Sequence, residues 1–326
     1  MSPAGATRRA SEQDPPHLRA SAPAKVNLGL FVGPLREGDG RHELVSVMQS
    51  ISLADTLTLE PADPTRGAGA GDEVVCPGVP GEPAENLAAA ALGLFREATG
   101  WDAPALRLSI VKRIPVAAGL GGGSADAAAA LRLASRMSGL GSGELLLELA
   151  GKLGADVPAQ IAPGRWLATG AGERLRELPP PSHPFGVLVL PNAAELSTAA
   201  VYARAEELGI QRTARELDEL AGELEVALAL SAPIPDAREL VHNDLQAAAS
   251  SLCPQIEPAL RQALDAGADV AFVSGSGPTV VGLFLRANGP GRAQRAAAGL
   301  ATERRSAGAP AAICAMPVDA DFARAQ

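Results

Sequence analysis

The sequence predicts an α+β protein built from two packed domains. The chain has 326 residues, which is enough to form two separate cores. Strand-like alternation and helix-like periodicity interleave in both halves, and neighbouring strands look antiparallel. A run of three prolines at 179–181 is the best candidate for a linker. We therefore expect domains at 19–180 and 181–318, with a disordered tail at 1–18 and a second tail at 319–326.

The first half begins with a strand and carries most of the polar motifs. Apolar residues alternate with others from Ser21 to Val32, which places Lys25 and Asn27 on one face of a strand. The other expected elements, in order, are two strands within 44–60 separated at Ala54-Asp55, a loop at 61–83, a helix at 85–99 closed by Gly100, a strand at 106–111, a glycine-rich turn, and helices at 124–137 and 144–153.

The second half alternates helices with short buried strands. Its expected helices lie near 198–208, 213–229, 237–252, 255–266 and 290–302, and its expected strands at 185–190, 269–273, 279–285 and 311–316. The segment SGSGP at 274–278 joins the two middle strands.

Composition excludes several classes of function. The net charge is −9 and no basic stretch interrupts it, so nucleic acid is not an expected partner. The three cysteines, Cys76, Cys253 and Cys314, are too scattered for a disulfide framework or a zinc site. No run reaches the roughly 18 apolar residues of a membrane span, and no apolar stretch follows Arg8 and Arg9 as in a secretory signal. We expect a cytoplasmic protein that is a monomer or a weak homodimer.

The strongest local signal is the glycine-rich segment PVAAGLGGGSADAAAALRLA at 115–134. Four glycines in five positions let the backbone approach a ligand, and Ser124 is a suitable N-cap for the alanine-rich helix that follows. Free N–H groups at a helix start bind anions, so this turn predicts a phosphate site. A plain strand-to-helix turn is the alternative, although it would not need so many glycines.

The sequence of this turn can be compared with two known phosphate-binding motifs. A Walker A motif is excluded because no Gly-Lys-Ser/Thr sequence follows. A dinucleotide-binding turn fits poorly, because Ser124 stands where the third glycine should be. A dinucleotide site also needs an acidic residue at the end of a second strand roughly 20 residues further on. Glu144 lies at about that distance, but it opens a helix. An NAD-binding oxidoreductase nevertheless remains an alternative.

Three motifs in the same order resemble those of the GHMP kinase superfamily. They are PAKVNLGL at 23–30, the glycine-rich segment at 115–134, and SGSGPTVVGLF at 274–284. Shorter matches at DGRHEL, ENL and LGADVP resemble the branch that phosphorylates 4-diphosphocytidyl-2-C-methyl-D-erythritol in the non-mevalonate isoprenoid pathway. The resemblance implies an N-terminal domain like ribosomal protein S5 domain 2, a ferredoxin-like C-terminal domain, and an active site between them.

The resemblance also implies a role for individual residues. Asp156 would be the catalytic base and Lys25 its partner. Substrates would be ATP, with Mg²⁺, and a cytidyl sugar alcohol acting through its 2-hydroxyl; Ser124 would be the protein contact of the metal. The expected ATP-binding residues are Pro115, Ala117, Ala118, Gly119, Leu120, Gly121, Gly122, Gly123, Ser124 and Ala125, and the expected substrate-binding residues are Asn27, His42, Thr198, Tyr202, Gly275, Ser276 and Gly277.

Each role has a structural alternative. Asp156 precedes Val-Pro and could cap a helix. Lys25 could be an exposed strand lysine, but the chain has only three lysines among 28 cationic residues, so a lysine here suggests a specific need. Tyr202 could lie in the core. Arg41 stands where the branch has a tyrosine beside His42, and its guanidinium could stack on the base instead.

Other functions remain open at this stage. Another GHMP kinase of the homoserine or mevalonate type would keep the same three motifs, and a non-catalytic nucleotide-binding regulator would keep the fold. The presence of both Lys25 and Asp156 argues against the regulator.

Overall fold

Two β-sheets with helices packed on them organise the protein, which confirms the predicted α+β class. The structure is a computed structural model that describes residues 17–63, 65, 71–82, 85–229 and 241–326. The tail predicted at 1–18 falls almost entirely outside these residues.

The first sheet is built around two long antiparallel strands, β1 and β2. The outer edge of β2 pairs with β4 at one end and with β5 at the other, and β3 and β6 extend these two arms. The strands are β1 (Leu18–Leu35), β2 (His42–Pro61), β3 (Glu73–Val75), β4 (Leu106–Val111), β5 (Arg165–Thr169) and β6 (Arg174–Leu178).

The prediction of two strands within 44–60 was wrong, because β2 continues through Ala54 and Asp55. The break in the pattern is a bulge: Pro23 pairs with Ala54, whereas the next residue, Ala24, pairs with Ile51. The region predicted as a loop contains β3, and β5 and β6 were not predicted. These short strands depend on long-range pairing, which local periodicity does not report.

Four helices cover one side of this sheet: α1 (Leu87–Thr99), α2 (Gly122–Ser138), α3 (Gly143–Leu153) and α4 (Val157–Ile161). Helix α2 is buried almost all round, and its run of small alanines lets it pack between α1 and the sheet. The expected N-cap at Ser124 was wrong. The cap is Gly121, in the left-handed conformation with φ 69°, and α2 starts at Gly122.

The second sheet is antiparallel, with the order β11-β7-β10-β9, and has the ferredoxin-like arrangement that the resemblance implies. Its strands are β7 (Gly186–Leu190), β9 (Val270–Val273), β10 (Val280–Phe284) and β11 (Ile313–Ala315), and the helices of this half are α5 (Thr198–Glu207), α6 (Ala214–Ala229), α7 (Gln246–Leu252), α8 (Ile256–Asp265) and α9 (Gly289–Ser306). Among the described residues, no helix is both long and apolar enough to cross a bilayer.

The helix predicted at 237–252 was too long. Residues 237–240 lie outside the described part, and a two-residue strand, β8 (His242–Asn243), precedes α7 and pairs in parallel with β1. The polar pair Asn243 and Asp244 makes specific side-chain bonds here, which compete with helix formation.

The two halves share an apolar interior. Val26 and Phe31 of β1 belong to the same buried cluster as Val187 and Phe272 of the second sheet. Helix α6 also adds Leu217 to this cluster. The chain end returns to the first sheet, where Gln326 exchanges two backbone hydrogen bonds with Arg19. The domain limits stay a prediction.

Asp244 joins β1, β8 and the segment before α6. Its carboxylate accepts hydrogen bonds from the backbone N–H of Val32, from the guanidinium of Arg212 and from the His242 ring. Burial alone would raise the pKa of this carboxyl, but the bonds from His242 and Arg212 outweigh burial and hold the pKa at about 2.

The variant Asp244→Asn is therefore expected to lose about 2 kcal/mol of stability near pH 7. A lowered folded-state pKa contributes stability above the ordinary aspartate range, and this contribution disappears as pH falls from about 4 towards 2. Urea unfolding should show that the variant has a much lower unfolding free energy than the wild type at pH 7, and that the difference is smaller at pH 3. The control is Asp218→Asn, a substitution at an exposed position on α6. An equal loss of unfolding free energy in Asp244→Asn at both pH values would contradict the lowered pKa of Asp244.

Candidate active site

The glycine turn lies where the two sheets approach each other. The backbone N–H of Lys25 on β1 donates to the carbonyl of Leu120 at 2.9 Å, which fixes the turn to the sheet. Gly119 and Gly121 both have positive φ, and a Cβ on Gly119 would stand 2.5 Å from the carbonyl oxygen of Ser274. Only glycine allows this approach, so two glycine-rich segments far apart in sequence are in direct contact.

Backbone amides at the start of α2 are available to a ligand. The cap, Gly121, has no side chain to bond them, and its own carbonyl accepts the first intrahelical bond, from Ala125. The N–H groups of Gly122, Gly123 and Ser124 are thus the unpaired first-turn donors of a 17-residue helix. Such a turn binds phosphate without a cationic side chain.

Two cavities meet at this turn. The larger, of about 720 Å³, lies between the sheets and contains Lys25 and Asp156. The smaller, of about 580 Å³, lies between the turn and the start of α1. Gly119, Gly121 and Ser124 line both. Both volumes are in the range of small-molecule sites, and a phosphate chain lying across the turn would reach from one cavity into the other.

A buried lysine and a carboxylate face each other in the larger cavity. Lys25 Nζ lies 3.2 Å from Asp156 Oδ2 and donates to Asn27 Oδ1 at 2.7 Å. Asn27 in turn donates to Ser46 Oγ at 2.8 Å, which holds the amide in one orientation. Lys25 is thus buried rather than an exposed strand lysine. Its ammonium is held by two acceptors at a fixed distance from the turn.

Asp156 occupies the N-cap position of α4 but does not act as a cap. Its side chain makes no capping hydrogen bond, and 37% of its side-chain surface is exposed. The carboxylate therefore keeps free lone pairs beside the larger cavity while one oxygen faces Lys25. Such a group can accept a proton from a bound hydroxyl.

The second glycine-rich segment, at 274–278, is held in place by side chains of neighbouring elements. Asn243 donates to the carbonyls of Val273 and Gly275, both at 2.7 Å, and Ser276 Oγ lies 2.9 Å from Thr198 Oγ1. Gly275 and Ser276 line the larger cavity, whereas Gly277 lines neither of the two. The segment thus forms the wall of the larger cavity that faces Lys25.

The other end of the larger cavity carries its two ring side chains. The ring centroids of His42 and Tyr202 are 5.1 Å apart with an interplanar angle of 32°. Burial and the charge of Asp156 raise the pKa of Tyr202 to about 12, so its hydroxyl stays neutral. Arg41 donates from Nη2 to the Ala171 carbonyl at 2.8 Å, at the rim of the same cavity. Rings and a guanidinium offer flat surfaces for a planar ligand.

A buried charge cluster forms part of the smaller cavity. Lys112 Nζ bonds to both Asp55 and Asp126, the latter at 2.7 Å. Burial raises the pKa of Asp126 to about 7, against the lowering effect of the Lys112 ammonium. Asn86, the N-cap of α1, and Lys112 both line this cavity beside the turn.

The structure brings most of the predicted residues together. Lys25, Asn27, His42, Asp156, Thr198, Tyr202, Gly275 and Ser276 line the larger cavity, and Pro115 and Ala117 to Ser124 line the smaller one. Ala125 lies buried beneath the turn, outside both cavities. Four residues that line these cavities were not among the predicted site residues: Asn86, Lys112, Asp126 and Glu206. The ENL match and the rarity of lysine were signals for the first two.

The part of the chain that the structure describes contains no protein-made metal cage. Among the described residues, no group of three or more His, Cys, Asp and Glu side chains could hold an ion. A divalent cation arriving with a nucleotide would keep most of its waters, and the Ser124 hydroxyl at the junction of the cavities suits one inner contact.

The sequence matches a known pair of domains. Residues 86–164 match the GHMP kinases N terminal domain, and residues 215–304 match the GHMP kinases C terminal domain.

Curated relatives match most of the chain. A protein of Anaeromyxobacter dehalogenans named 4-diphosphocytidyl-2-C-methyl-D-erythritol kinase is 40% identical over 90% of this chain and 87% of its own length. One of the same name from Corynebacterium efficiens is 40% identical over 81% of this chain and 84% of its own.

Solved structures show the same architecture. A crystal structure of 4-(cytidine 5′-diphospho)-2C-methyl-D-erythritol kinase has a TM-score of 0.70 and 32% identity, covering 92% of this chain and 99% of that one. A homoserine kinase from Cytophaga hutchinsonii reaches the same TM-score at 17% identity, covering 98% and 100%, which shows likeness of fold alone.

Proposed function

Because this chain belongs to the GHMP kinase family, in the group of the 4-diphosphocytidyl-2-C-methyl-D-erythritol kinases, we propose that it transfers the γ-phosphoryl group of ATP to the 2-hydroxyl of that cytidyl sugar alcohol, a step of isoprenoid biosynthesis. The observation that carries this function is the junction of two cavities at one glycine turn, with the Lys25–Asp156 pair on the side of the larger cavity. Direct phosphoryl transfer needs donor and acceptor to meet in this way.

The smaller cavity accommodates the nucleoside of ATP and the turn holds its phosphates. The first-turn amides of α2, from Gly122 to Ser124, donate to phosphate oxygens, and the helix start favours their negative charge. Mg²⁺ bound to ATP neutralises charge on the phosphates, with Ser124 as its contact from the protein.

The acceptor hydroxyl is activated by Asp156. The carboxylate accepts the hydroxyl proton as the oxygen attacks the γ-phosphorus and the bond from that phosphorus to the bridging oxygen breaks, which releases ADP. A base in this position contributes roughly 10²–10⁴-fold in rate. Lys25, held by Asn27 and Asp156, places a positive charge where the transferred group develops negative charge. Neither group needs to reorganise, because both are already bonded in place.

The rest of the acceptor extends along the larger cavity. Asn27 and Thr198 lie near the reacting end, where hydroxyl groups of the sugar alcohol can bond to them. The rings of His42 and Tyr202, with Arg41, form the end that suits a planar base. Stacking of a base on an aromatic ring contributes about 1–3 kcal/mol.

The experiment that tests this function is product detection by mass. The protein with Mg-ATP and 4-diphosphocytidyl-2-C-methyl-D-erythritol should yield ADP and an acceptor heavier by one phosphoryl group. Parallel reactions without acceptor, with homoserine and with mevalonate are the controls. Transfer to homoserine or mevalonate but not to the cytidyl compound would overturn the proposal, and nucleotide binding without any transfer would favour a regulator.

The dinucleotide alternative lacks support from the fold. NAD sites of that kind lie at the carboxyl edge of a parallel, doubly wound sheet. Here the strand before the turn, β4, pairs antiparallel with β2, and the second sheet is antiparallel throughout.

A further inference from the structure

A single aspartate interrupts the apolar pattern of β2. Asp55 is fully buried, and its neighbours Leu53 and Leu57 on the same strand belong to the apolar clusters of the protein. Burial of a carboxylate is costly unless hydrogen bonds replace the lost water. The groups that bond to Asp55 therefore indicate what this residue does in the middle of a strand.

The partners of Asp55 are three consecutive residues just before the glycine turn. Its Oδ1 accepts from the backbone N–H of Arg113 and, at 2.9 Å, from that of Ile114. Its Oδ2 accepts from Lys112 Nζ. One carboxylate thus fixes to β2 the whole segment that leads from β4 into the turn.

Lys112 continues this connection to the helix that follows the turn. Its Nζ donates to Oδ2 of Asp126 at 2.7 Å, and Asp126 is a buried residue of α2, 14 positions further along the chain. A Cβ on Gly122 would lie 3.4 Å from Nζ, so the ammonium stands beside the first residue of α2. One lysine therefore joins the segment before the glycine turn to the helix after it.

Charge alone gives Lys112 little to offer a phosphate. Among the described residues that line the smaller cavity, Lys112 is the one cation, and the lining also contains Glu82, Glu85 and Asp126. The ammonium is already bonded to two carboxylates, which balance its charge at contact distance. What the two bonds do provide is a fixed position for the lysine and for the elements that it joins.

We propose that Lys112 is a positioning residue for the phosphates of ATP: by bridging Asp55 of the first sheet and Asp126 of α2, it fixes the first-turn amides of α2. This inference rests on the proposed function, since it needs a phosphate chain at the glycine turn. A misplacement of about 1 Å at a reacting centre can cost about 10²-fold in rate, so a rigid support for these amides affects the reaction directly.

The test breaks the link to α2 without leaving a buried charge unpaired. Asp126→Ala suits the alanine-rich helix and leaves Lys112 paired with Asp55 alone. Calorimetry measures the Kd of the Mg²⁺ complex of adenylyl imidodiphosphate, an ATP analogue that does not transfer its γ-phosphoryl group. The titration is made at pH 8, above the pKa of Asp126 of about 7. We expect the Kd to rise about 10- to 100-fold.

The direction of this change separates positioning from charge. If the cluster acted only through its charge, removal of a carboxylate near the phosphates would tighten nucleotide binding. Positioning requires the opposite result, because the amides of α2 lose their support. A Kd that is unchanged or lower in Asp126→Ala would overturn the inference.

Steady-state kinetics separates positioning from general damage to the fold. In Asp126→Ala the KM for ATP should rise, while the KM for the cytidyl acceptor should stay within about twofold of the wild type. The acceptor side keeps its own support, since Lys25 is held by Asn27 and Asp156. An equal rise in both KM values would also overturn the inference, because the cluster would then only stabilise the fold.

A second pair of variants examines the lysine itself. Lys112→Gln breaks both contacts and should raise the Kd of the analogue further. The matched control is Lys152→Gln, since Lys152 pairs with Glu148 on the surface of α3, lines neither cavity, and should bind the analogue like the wild type. Lys112→Gln leaves two buried carboxylates without their partner, which also lowers stability, so Asp126→Ala decides the outcome.

Failure of this inference is distinguishable from failure of the proposed function. If the wild type phosphorylates no cytidyl acceptor, the proposed function fails, and calorimetry with the analogue still decides the role of Lys112. If the wild type does transfer the phosphoryl group and Asp126→Ala binds the analogue as tightly as the wild type, the inference is overturned while the function stands.

Discussion

Replacement of Asp156 by asparagine is expected to lower kcat by roughly 10²–10⁴-fold and to leave KM nearly unchanged. The amide keeps the shape of the side chain, and its oxygen can still face Lys25, 3.2 Å away in the wild type. What it loses is the ability to take the hydroxyl proton. The cavity walls that bind the acceptor are untouched, so steady-state kinetics should separate the loss of turnover from binding.

Asp265→Asn is the control for this substitution. Asp265 is an exposed aspartate at the end of α8 and lines neither of the two cavities. Its asparagine variant should match the wild type in kcat and KM. Full turnover in Asp156→Asn would remove Asp156 as the base, and a rise in KM at constant kcat would make it a binding residue.

Replacement of Gly119 by alanine is expected to damage both stability and activity. The residue has φ 72°, a conformation that costs alanine about 1–2 kcal/mol. The added Cβ would lie 2.5 Å from the Ser274 carbonyl oxygen and 2.9 Å from that of Gly277, so the two segments must separate. We expect a loss of at least about 2 kcal/mol in unfolding free energy. A shift of about 1 Å at the phosphate site should reduce kcat/KM by about 10²-fold.

Gly123→Ala is the matched control in the same turn. Its φ is not positive, a Cβ there would meet no atom within 4 Å, and alanine favours the helix that it belongs to. Thermal unfolding should therefore show equal or higher stability for this variant. If Gly119→Ala unfolded at the wild-type temperature with wild-type kinetics, the close contact between the two segments would be refuted.

Local sequence patterns were sufficient for most helices and for the short buried strands of the second sheet. The helix at 85–99 was predicted from its periodicity and from Gly100, which does adopt the left-handed cap. Where the prediction failed, the cause was non-local. The bulge opposite Pro23 looked like a break between two strands, and β3, β5 and β6 are held by pairing with distant partners.

The residues of the candidate site also fall into two groups, those that the sequence indicated and those that only the structure revealed. Lys25, Asp156 and the glycine turn could be selected from their motifs before any coordinates. Lys112 is conspicuous in the sequence only as a rare lysine, and its place in the site could not be predicted, because it depends on Asp55, which is 57 positions away in the chain. Glu206 had no signal of its own. It becomes notable only because α5 places it beside His42, a residue of the first sheet.

The amino-acid sequence alone was sufficient for the α+β class and, through the resemblance of three motifs, for the kinase family and the candidate reacting groups, since these depend on residue types at short spacings. Tertiary structure decided that Asp156 is free of the helix it precedes, that the glycine turn joins two cavities, and that a carboxylate from one half faces an imidazole from the other. Distances between side chains remote in sequence are set by how the sheets pack, and no local pattern contains that packing.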